Sequence, residues 1–278
     1  MKKVMVLLSF VCAILVADEF EIADKAYKAG DYQKAFKYSK IACDNGEYRG
    51  CGFLGALYRD GQGVKQNYTE ASKYYKLACD NGGYISCGDL GLLYEHSQSA
   101  IQNYKEAFKY YKLACDNGDY YCCAAIGNLY ADGNGVEQNY TEASKYYKLA
   151  CDNGDSLGCG NLGILYVIGK GVKQNYTEAS KYYKLACDNG DYSSCFNLGF
   201  SYANGKGVRY NYTEAFKYYK LACDNGVNKS CHNLGLLYAN GQGVRQNYSI
   251  AKEHFGKACD LGYQKGCDAF SKLDKNGY

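Results

Sequence analysis

A strict repeat of cysteines constrains the fold of this chain more than any other feature of its sequence. The chain has 278 residues and sixteen cysteines, and fourteen of these fall into two series with a period of 36 residues. Since no insertion interrupts the period, we predict one continuous array of repeats in which each unit contacts mainly its neighbours. The first series is Cys43, Cys79, Cys115, Cys151, Cys187, Cys223 and Cys259, and the second is Cys51, Cys87, Cys123, Cys159, Cys195, Cys231 and Cys267.

Each repeat is predicted to form two helices joined by a short turn. In the repeat that starts at Asn67, tyrosines and alanines recur at helical spacing through NYTEASKYYKLACDNG. Asn67 is placed to cap this first helix, Glu70 to complete a capping box, and Gly82 to end the helix. A second helical segment surrounds Cys87, and a glycine-rich turn such as DGQGV leads to the next repeat. The predicted fold is therefore all-α, an α-solenoid of seven helix-turn-helix repeats with a tetratricopeptide-like superhelix.

A glycine recurs inside the second helix of the repeats, as at Gly91. Glycine costs about 1 kcal/mol relative to alanine in a helix interior, so we expect a packing role that compensates for this cost. The small side chains of Ala71 and Ala78, on the first helix of the same pair, are its predicted partners. Lysines on the other side of that helix, such as Lys73 and Lys76, are expected to face solvent.

The period also predicts how the chain is divided. A leading helix is expected at residues 18–30, and the whole of residues 18–278 is expected to form a single solenoid domain. The turn from His96 to Ile101 lacks the usual glycines and is predicted to be irregular. The seven repeats are predicted at residues 31–66, 67–102, 103–138, 139–174, 175–210, 211–246 and 247–278.

Residues 1–17 have the pattern of a cleavable signal peptide. Lys2 and Lys3 precede an apolar run over residues 4–16, and Ala17 precedes two acidic residues. The run is shorter than a membrane span requires. We therefore predict an exported protein, periplasmic or secreted, without a membrane span. Lipidation at Cys12 is the alternative interpretation of this segment.

Charge and short motifs indicate no nucleic acid and no cofactor. The formal charge is +3, and loss of the two lysines of the signal peptide lowers it to +1. A net charge this small provides no field to attract nucleic acid or an anionic membrane surface. The glycine-rich turns match neither GxxxxGK[ST] nor GxGxxG, so they do not indicate a phosphate-binding loop.

The paired cysteines have the spacing of a disulfide across a turn between two helices. Seven residues separate the two members of a pair, whereas zinc ligands cluster at about two to four residues. The three histidines, His96, His232 and His254, are scattered. In an oxidising compartment such pairs persist as disulfides, each stabilising its repeat by about 2.5 kcal/mol. We predict no metal site and seven structural disulfides: Cys43–Cys51, Cys79–Cys87, Cys115–Cys123, Cys151–Cys159, Cys187–Cys195, Cys223–Cys231 and Cys259–Cys267.

Cys122 is the cysteine of the mature chain that remains outside these pairs. The first interpretation is a small residue in a tight place, which predicts a free thiol. A reactive thiol or an intermolecular bridge is the alternative. Small residues fill the equivalent position of every other repeat: Gly50, Ser86, Gly158, Ser194, Ser230 and Gly266.

The repeat unit NYxEAxKYYKLACDNGxxxxCxNLGxLYxxGxGV resembles the Sel-one-like repeat, a relative of the tetratricopeptide repeat. Its cysteine spacing is similar to that of the Helicobacter cysteine-rich protein family. This resemblance implies disulfide-bridged helix pairs in a secreted or periplasmic protein. Members of that family commonly carry β-lactamase or penicillin-binding names, whereas Sel-one-like repeats in general serve as protein-interaction scaffolds.

The sequence itself does not identify catalytic residues. Serine β-lactamases combine S-x-x-K with SDN and KTG elements, and this chain has neither SDN nor KTG. Its one S-x-x-K runs from Ser249 to Lys252.

The sequence and the resemblance together suggest two functions. The first is a scaffold that binds a protein or peptide, and the alternative is a protein acting on β-lactams or cell-wall fragments, as the resemblance implies. Specificity is expected on the second helices and turns, because segments such as residues 47–50 and 83–86 vary between repeats. The sequence indicates no particular partner and no oligomeric state.

Overall fold

The computed structural model describes residues 19–96 and 102–278, and the regular secondary structure in these residues is α-helical. The predicted signal peptide, including Cys12, lies outside the described residues. So does most of the predicted irregular turn, of which only His96 is described.

The helices fall into two compact units, Met1–Gln138 and Asn139–Tyr278. Within each unit, consecutive helices from α2 onward pack against each other. The predicted all-α repeat fold is thus confirmed. Unit 1 contains α1 (residues 19–28), α2 (Tyr32–Asp44), α3 (Tyr48–Asp60), α4 (Tyr68–Asp80), α5 (Tyr84–Glu95), α6 (Tyr104–Asp116) and α7 (Tyr120–Asp132). Unit 2 contains α8 (Tyr140–Asp152), α9 (Ser156–Ile168), α10 (Tyr176–Asp188), α11 (Tyr192–Asn204), α12 (Tyr212–Asp224), α13 (Asn228–Asn240), α14 (Tyr248–Asp260) and α15 (Gln264–Lys275).

Asparagines cap the first helices of the pairs, the even-numbered helices from α4 onward. The Asn67 side chain accepts hydrogen bonds from the backbone N–H groups of Thr69 and Glu70, at 3.0 and 3.1 Å. The second hydrogen bond of the predicted capping box, from the Asn67 backbone N–H to the Glu70 side chain, was predicted wrongly. The Asn67 backbone N–H donates instead to the Tyr58 carbonyl at 2.9 Å, and Glu70 faces Lys73. That backbone bond ties the start of α4 to the end of α3.

The recurring glycine of the second helix packs against the next repeat, which corrects our expectation. A Cβ atom added at Gly91 would lie 2.6 Å from Cδ1 of Tyr111, on α6. Ala78 of its own pair is not the partner. The same contact joins Gly199 to Tyr219, whose ring is buried. Glycine therefore lets a tyrosine ring lie directly on the backbone of the preceding helix.

Stacked aromatic rings add a second contact between consecutive pairs. Each stack joins a second helix to the following first helix, with ring centroids 5.5–5.8 Å apart and planes within 12° of parallel. Stacked rings stabilise a contact beyond the area they bury. Tyrosine thus supplies much of the packing that a larger aliphatic core would otherwise supply. The pairs are Tyr58–Tyr74 and Tyr94–Tyr110 in unit 1, and Tyr166–Tyr182, Tyr202–Tyr218 and Tyr238–His254 in unit 2.

Candidate functional site

The seven cysteine pairs form disulfides, each linking the end of a first helix to the start of the second. Their Cα–Cα distances are 4.5–4.9 Å, within the range that a disulfide spans without moving the backbone. Seven disulfides fit the predicted export to an oxidising compartment. Among the described residues, no helix is both long and apolar enough to cross a membrane.

Cys122 lies in the second helix of its pair with its thiol buried and outside any disulfide. A Cβ at Gly88 would lie 2.8 Å from its sulfur, so α5 and α7 meet closely here. Burial, together with the neighbouring Asp119 carboxylate, holds the pKa of the thiol well above its usual range. The thiolate is the reactive form of cysteine, so this environment suppresses reactivity.

We expect Cys122 to resist Ellman's reagent at about pH 8 in the folded mature protein and to react fully in denaturant. Its burial and raised pKa together keep the thiolate from forming or being reached. Cys122→Ser should abolish the signal and change the free energy of unfolding by less than about 1 kcal/mol, since serine occupies this position in other repeats. Rapid labelling of the folded protein, or a peptide map showing Cys115 joined to Cys122, would contradict this prediction.

His232 and His254 are packed against aromatic rings. His232 contacts Phe255 and Tyr263, with ring centroids 5.3 Å away in both cases, and His254 stacks on Tyr238. In the described part of the chain, no group of three or more His, Cys, Asp or Glu side chains could hold a metal ion. These histidines therefore contribute to packing.

Burial lowers the pKa of both His232 and His254, with nearby lysines adding to the effect. In the unfolded chain they titrate near their ordinary value of about 6.5, so below that pH the unfolded state binds more protons. We expect the free energy of unfolding to fall as the pH drops through about 6.5. Urea unfolding at about pH 7.5 and 5.5 measures this effect.

A double variant provides the control for this pH effect. His254→Tyr and His232→Phe introduce residues that stand at the equivalent positions Tyr218 and Phe196 of the previous repeat. The variant should lose less stability than the parent between the two pH values. An equal loss in both proteins would show that other groups are responsible.

The S-x-x-K segment is not arranged for catalysis. Ser249 is exposed at the start of α14. The Lys252 ammonium lies 2.6 Å from Asp274 and also donates to the Tyr278 carbonyl. A lysine engaged with a carboxylate is a poor base, so this pair lacks the activation that a serine nucleophile needs.

Lys73, Lys76 and the equivalent lysines of the first helices from α4 to α12 face solvent, as predicted, and are paired with acids one turn away. Lys76 lies 2.6 Å from Asp80, and Lys184 lies 2.6 Å from Asp188. Exposed pairs of this kind contribute little to stability. They do neutralise this face, which argues against its use as a track for anions.

Unit 1 contains a groove of about 590 Å³, which we call the unit 1 groove. Helices α1, α3 and α5 and the turn before α5 form it. Its walls are largely apolar, and Ile85 is 79% exposed. The main lining side chains are Phe20, Tyr48, Phe53, Tyr84, Ile85 and Asp89.

Asp89 and Arg49 are the charged residues that line this groove. The side chain of Asp89 is 33% exposed and lies 3.5 Å from Arg59. Burial raises the pKa of the Asp89 carboxyl, the Arg59 charge lowers it, and Asp119 and Asp60 raise it further. The carboxylate is therefore incompletely compensated by its surroundings.

In unit 2 an apolar row crosses three consecutive second helices. The row consists of Ile164 on α9, Phe200 on α11 and Leu236 on α13, at equivalent positions of their repeats. Each of these side chains is about 40% exposed. A row of exposed apolar side chains of this kind is typical of a surface that binds another molecule.

The apolar row lies on second helices, and α3 and α5 contribute most of the unit 1 groove, so both surfaces use the helices where the sequence led us to expect specificity. Residues 47–50 and 83–86 contribute Tyr48 and Ile85 to the unit 1 groove. Sequence reasoning missed Asp89 and Phe20. Asp89 could have been found as a departure from the repeat, since Asn197 and Asn233 stand at the equivalent positions of later repeats. Phe20 could not, because it belongs to the leading helix.

Comparison with known proteins agrees with this architecture. The Sel1 repeat family matches residues 25–47, 49–83, 85–119, 121–155, 156–191, 193–227 and 228–263. The first match starts within α1 and continues through α2, and each later match starts near a second helix and continues into the following first helix. In this register the first six disulfides join successive repeats, and the seventh joins the last matched repeat to Cys267, beyond its end.

Two solved structures and one curated protein are similar to the chain. A Sel1 repeat protein from Oxalobacter formigenes is 32% identical, with a TM-score of 0.77, over 86% of this chain and 98% of that one. The protective antigen c5321 of uropathogenic Escherichia coli is 27% identical, with a TM-score of 0.82, over 87% of this chain and 52% of that one.

The curated relative is a putative β-lactamase HcpE of Helicobacter pylori. It is 50% identical over 44 residues, which are 16% of this chain and 12% of HcpE. The alignment therefore spans only a small part of that relative's length. The family match, in contrast, covers seven segments that together make up most of the chain. This protein belongs to the Sel1 repeat family.

Proposed function

We propose that this protein is an exported scaffold that binds a protein or peptide partner on its second helices. The observation that carries the proposal is that the exposed apolar side chains of these helices, in the unit 1 groove and in the apolar row of unit 2, vary from repeat to repeat, whereas the exposed leucine of the first helices recurs unchanged from Leu77 to Leu221. The disulfides hold the starts of the same helices in place. A preformed binding surface loses little conformational entropy when a partner binds.

Two leucines of equal chemistry allow a matched test in unit 2. Leu236 lies in the apolar row and is 39% exposed, whereas Leu221 lies on the first helix α12 and is 42% exposed. The mature protein is coupled to beads and incubated with envelope extract, and retained proteins are identified by mass spectrometry. Leu236→Glu should abolish retention of a specific partner, and Leu221→Glu should not. The proposal would be refuted if no protein is retained specifically, or if the retained proteins are the same for the parent and both variants.

The name of HcpE suggests β-lactam hydrolysis as the alternative. We expect any nitrocefin turnover to be weak and to be unchanged in Ser249→Ala, because Lys252 is engaged with Asp274. The fold should also be unchanged, since Ser249 is exposed. Turnover is measured beside circular dichroism of the same samples. Loss of substantial turnover in a natively folded variant would favour the enzyme over the scaffold.

A further inference from the structure

We propose that the unit 1 groove binds an extended peptide segment that carries a lysine or arginine next to apolar side chains. The cationic group would reach Asp89, and the apolar side chains would lie against Phe53, Tyr84 and Ile85. This inference rests on the proposed binding function and assigns a class of ligand to one of its surfaces.

The apolar part of the groove has the size and exposure that such a segment needs. Its volume of about 590 Å³ is within the range of pockets that enclose several side chains or a small ligand. Ile85 is the most exposed large apolar side chain in the described part of the molecule. Covering it removes apolar surface from water, which favours binding.

The charges around Asp89 leave a place for a cation. Arg59 forms two hydrogen bonds with Asp60, at 2.8 and 2.9 Å, and lies farther from Asp89, at 3.5 Å. One guanidinium thus serves two carboxylates, and Asp119 adds further negative potential. A partly buried carboxylate is stabilised by a full charge partner with hydrogen bonds, which a lysine or arginine side chain provides.

The arginine that lines the groove, Arg49, does not fill this role. Arg49 donates to Glu47 at 2.9 Å, and its guanidinium lies 4.7 Å from the centroid of the Phe20 ring. It therefore has an acidic partner of its own and forms part of the wall. Counting Glu47, Arg49, Arg59, Asp60 and Asp89 gives a net charge of −1, which complements a cationic ligand.

Tyr75 adds unused hydrogen-bonding capacity beside Asp89. Its hydroxyl is buried and finds no hydrogen-bond partner among the described residues. At the equivalent position of the next repeat, the Tyr111 hydroxyl donates to Glu95 at 2.5 Å. Tyr75 lies close enough to Asp89 for that carboxylate to raise the pKa of its hydroxyl.

The start of α5 differs from the starts of the next three second helices, although α13 and α15 also lack a side-chain cap. Asp119, Asp155 and Asp191 cap the starts of α7, α9 and α11, whereas Gly83 gives α5 no side-chain cap. A Cβ at Gly83 would lie 2.9 Å from Cδ2 of Tyr48, a wall of the groove. The missing side chain leaves this part of the groove open, although a cap there would stabilise the helix.

The probe is a set of acetylated, amidated pentapeptide mixtures. Their central residue is Lys, Arg, Gln or Glu, and the flanking positions are randomised among Leu, Ile, Phe, Val and Ser. Each mixture is passed over the immobilised mature protein, and the retained peptides are quantified by mass spectrometry. We expect Lys and Arg peptides with apolar neighbours to be enriched about tenfold over Gln peptides, and Glu peptides to be depleted. Asp89→Asn should remove this enrichment, while Ile85→Ser should weaken retention of all classes.

The controls separate charge from folding. Asparagine stands at the position of Asp89 in three repeats of unit 2, so Asp89→Asn should keep the native circular dichroism spectrum. Asp132→Asn removes an exposed carboxylate of the same unit outside the groove and should leave the enrichment unchanged. Equal retention of Lys and Gln peptides, enrichment that survives Asp89→Asn, or no peptide retention would overturn this inference. The scaffold proposal would then still stand if a partner is captured through Leu236.

Discussion

Replacing Tyr219 by alanine is expected to lower the free energy of unfolding of the region around it by about 3–5 kcal/mol. The Tyr219 ring is buried and lies against the bare backbone of Gly199, where a Cβ would be 2.8 Å from the ring. No side chain of residue 199 can move to fill the space that the ring leaves. Urea unfolding followed by circular dichroism, with hydrogen exchange to locate the loss on α11 and α12, measures the effect.

Phenylalanine at the same position is the matched control. Phe255 occupies the equivalent position of the next repeat and lies against Gly235 in the same way, so the ring itself fits. Tyr219→Phe removes the hydrogen bond between its hydroxyl and Asn233 and should cost only about 1 kcal/mol. If Tyr219→Ala costs no more than Tyr219→Phe, the contact between glycine and ring is not a main source of stability.

The features predicted correctly from the sequence are those that local geometry determines. Asn67 caps α4 because its side chain reaches N–H groups two and three residues ahead, whatever the rest of the chain does. Cys187 and Cys195 are eight residues apart across a tight turn, so their Cα atoms come within 4.7 Å. In both cases the interacting atoms are close in sequence, and spacing alone is enough.

The partner of the recurring glycine could not be derived in this way. The helical period shows that Gly91 faces a neighbouring helix, but both α4 and α6 are neighbours and carry nearly the same sequence. Ala78 and Tyr111 were therefore equally available by pattern. Only the packing of consecutive pairs decides between them, and it places the Tyr111 ring on Gly91.

The unit 1 groove is even harder to predict from the repeat pattern. Its distinctive residues, Phe20, Gly83 and Asp89, are the ones that depart from the repeat or lie outside it. Likewise, Lys252 pairs with Asp274 across 22 residues, in the last repeat, where the sequence no longer follows the period. Averaging over repeats identifies the scaffold and conceals the residues that make one groove different from the others.

Removing one disulfide from the middle of unit 2 is expected to have the second-largest effect. Replacing both Cys187 and Cys195 by alanine should lower the free energy of unfolding of that repeat by about 2.5 kcal/mol, because the unfolded chain regains the entropy of an open loop. Alanine avoids placing a hydroxyl where both sulfurs are buried. Hydrogen exchange should increase mainly in α10 and α11, since each repeat depends chiefly on its neighbours.

Binding measurements on the same variant test whether this disulfide also holds α11 in the conformation that binds a partner. Cys195 fixes the first turns of α11, the helix that carries Phe200 of the apolar row. Without the bridge, the first turns of α11 open more often in the folded protein and must be ordered when a partner binds, so affinity for a partner captured through Leu236 should fall while the contact residues are unchanged. Titration of that partner against the parent and the double-alanine variant, at a temperature where both are folded, measures this loss. Unchanged affinity together with unchanged stability would show that tyrosine packing alone holds these helices in place.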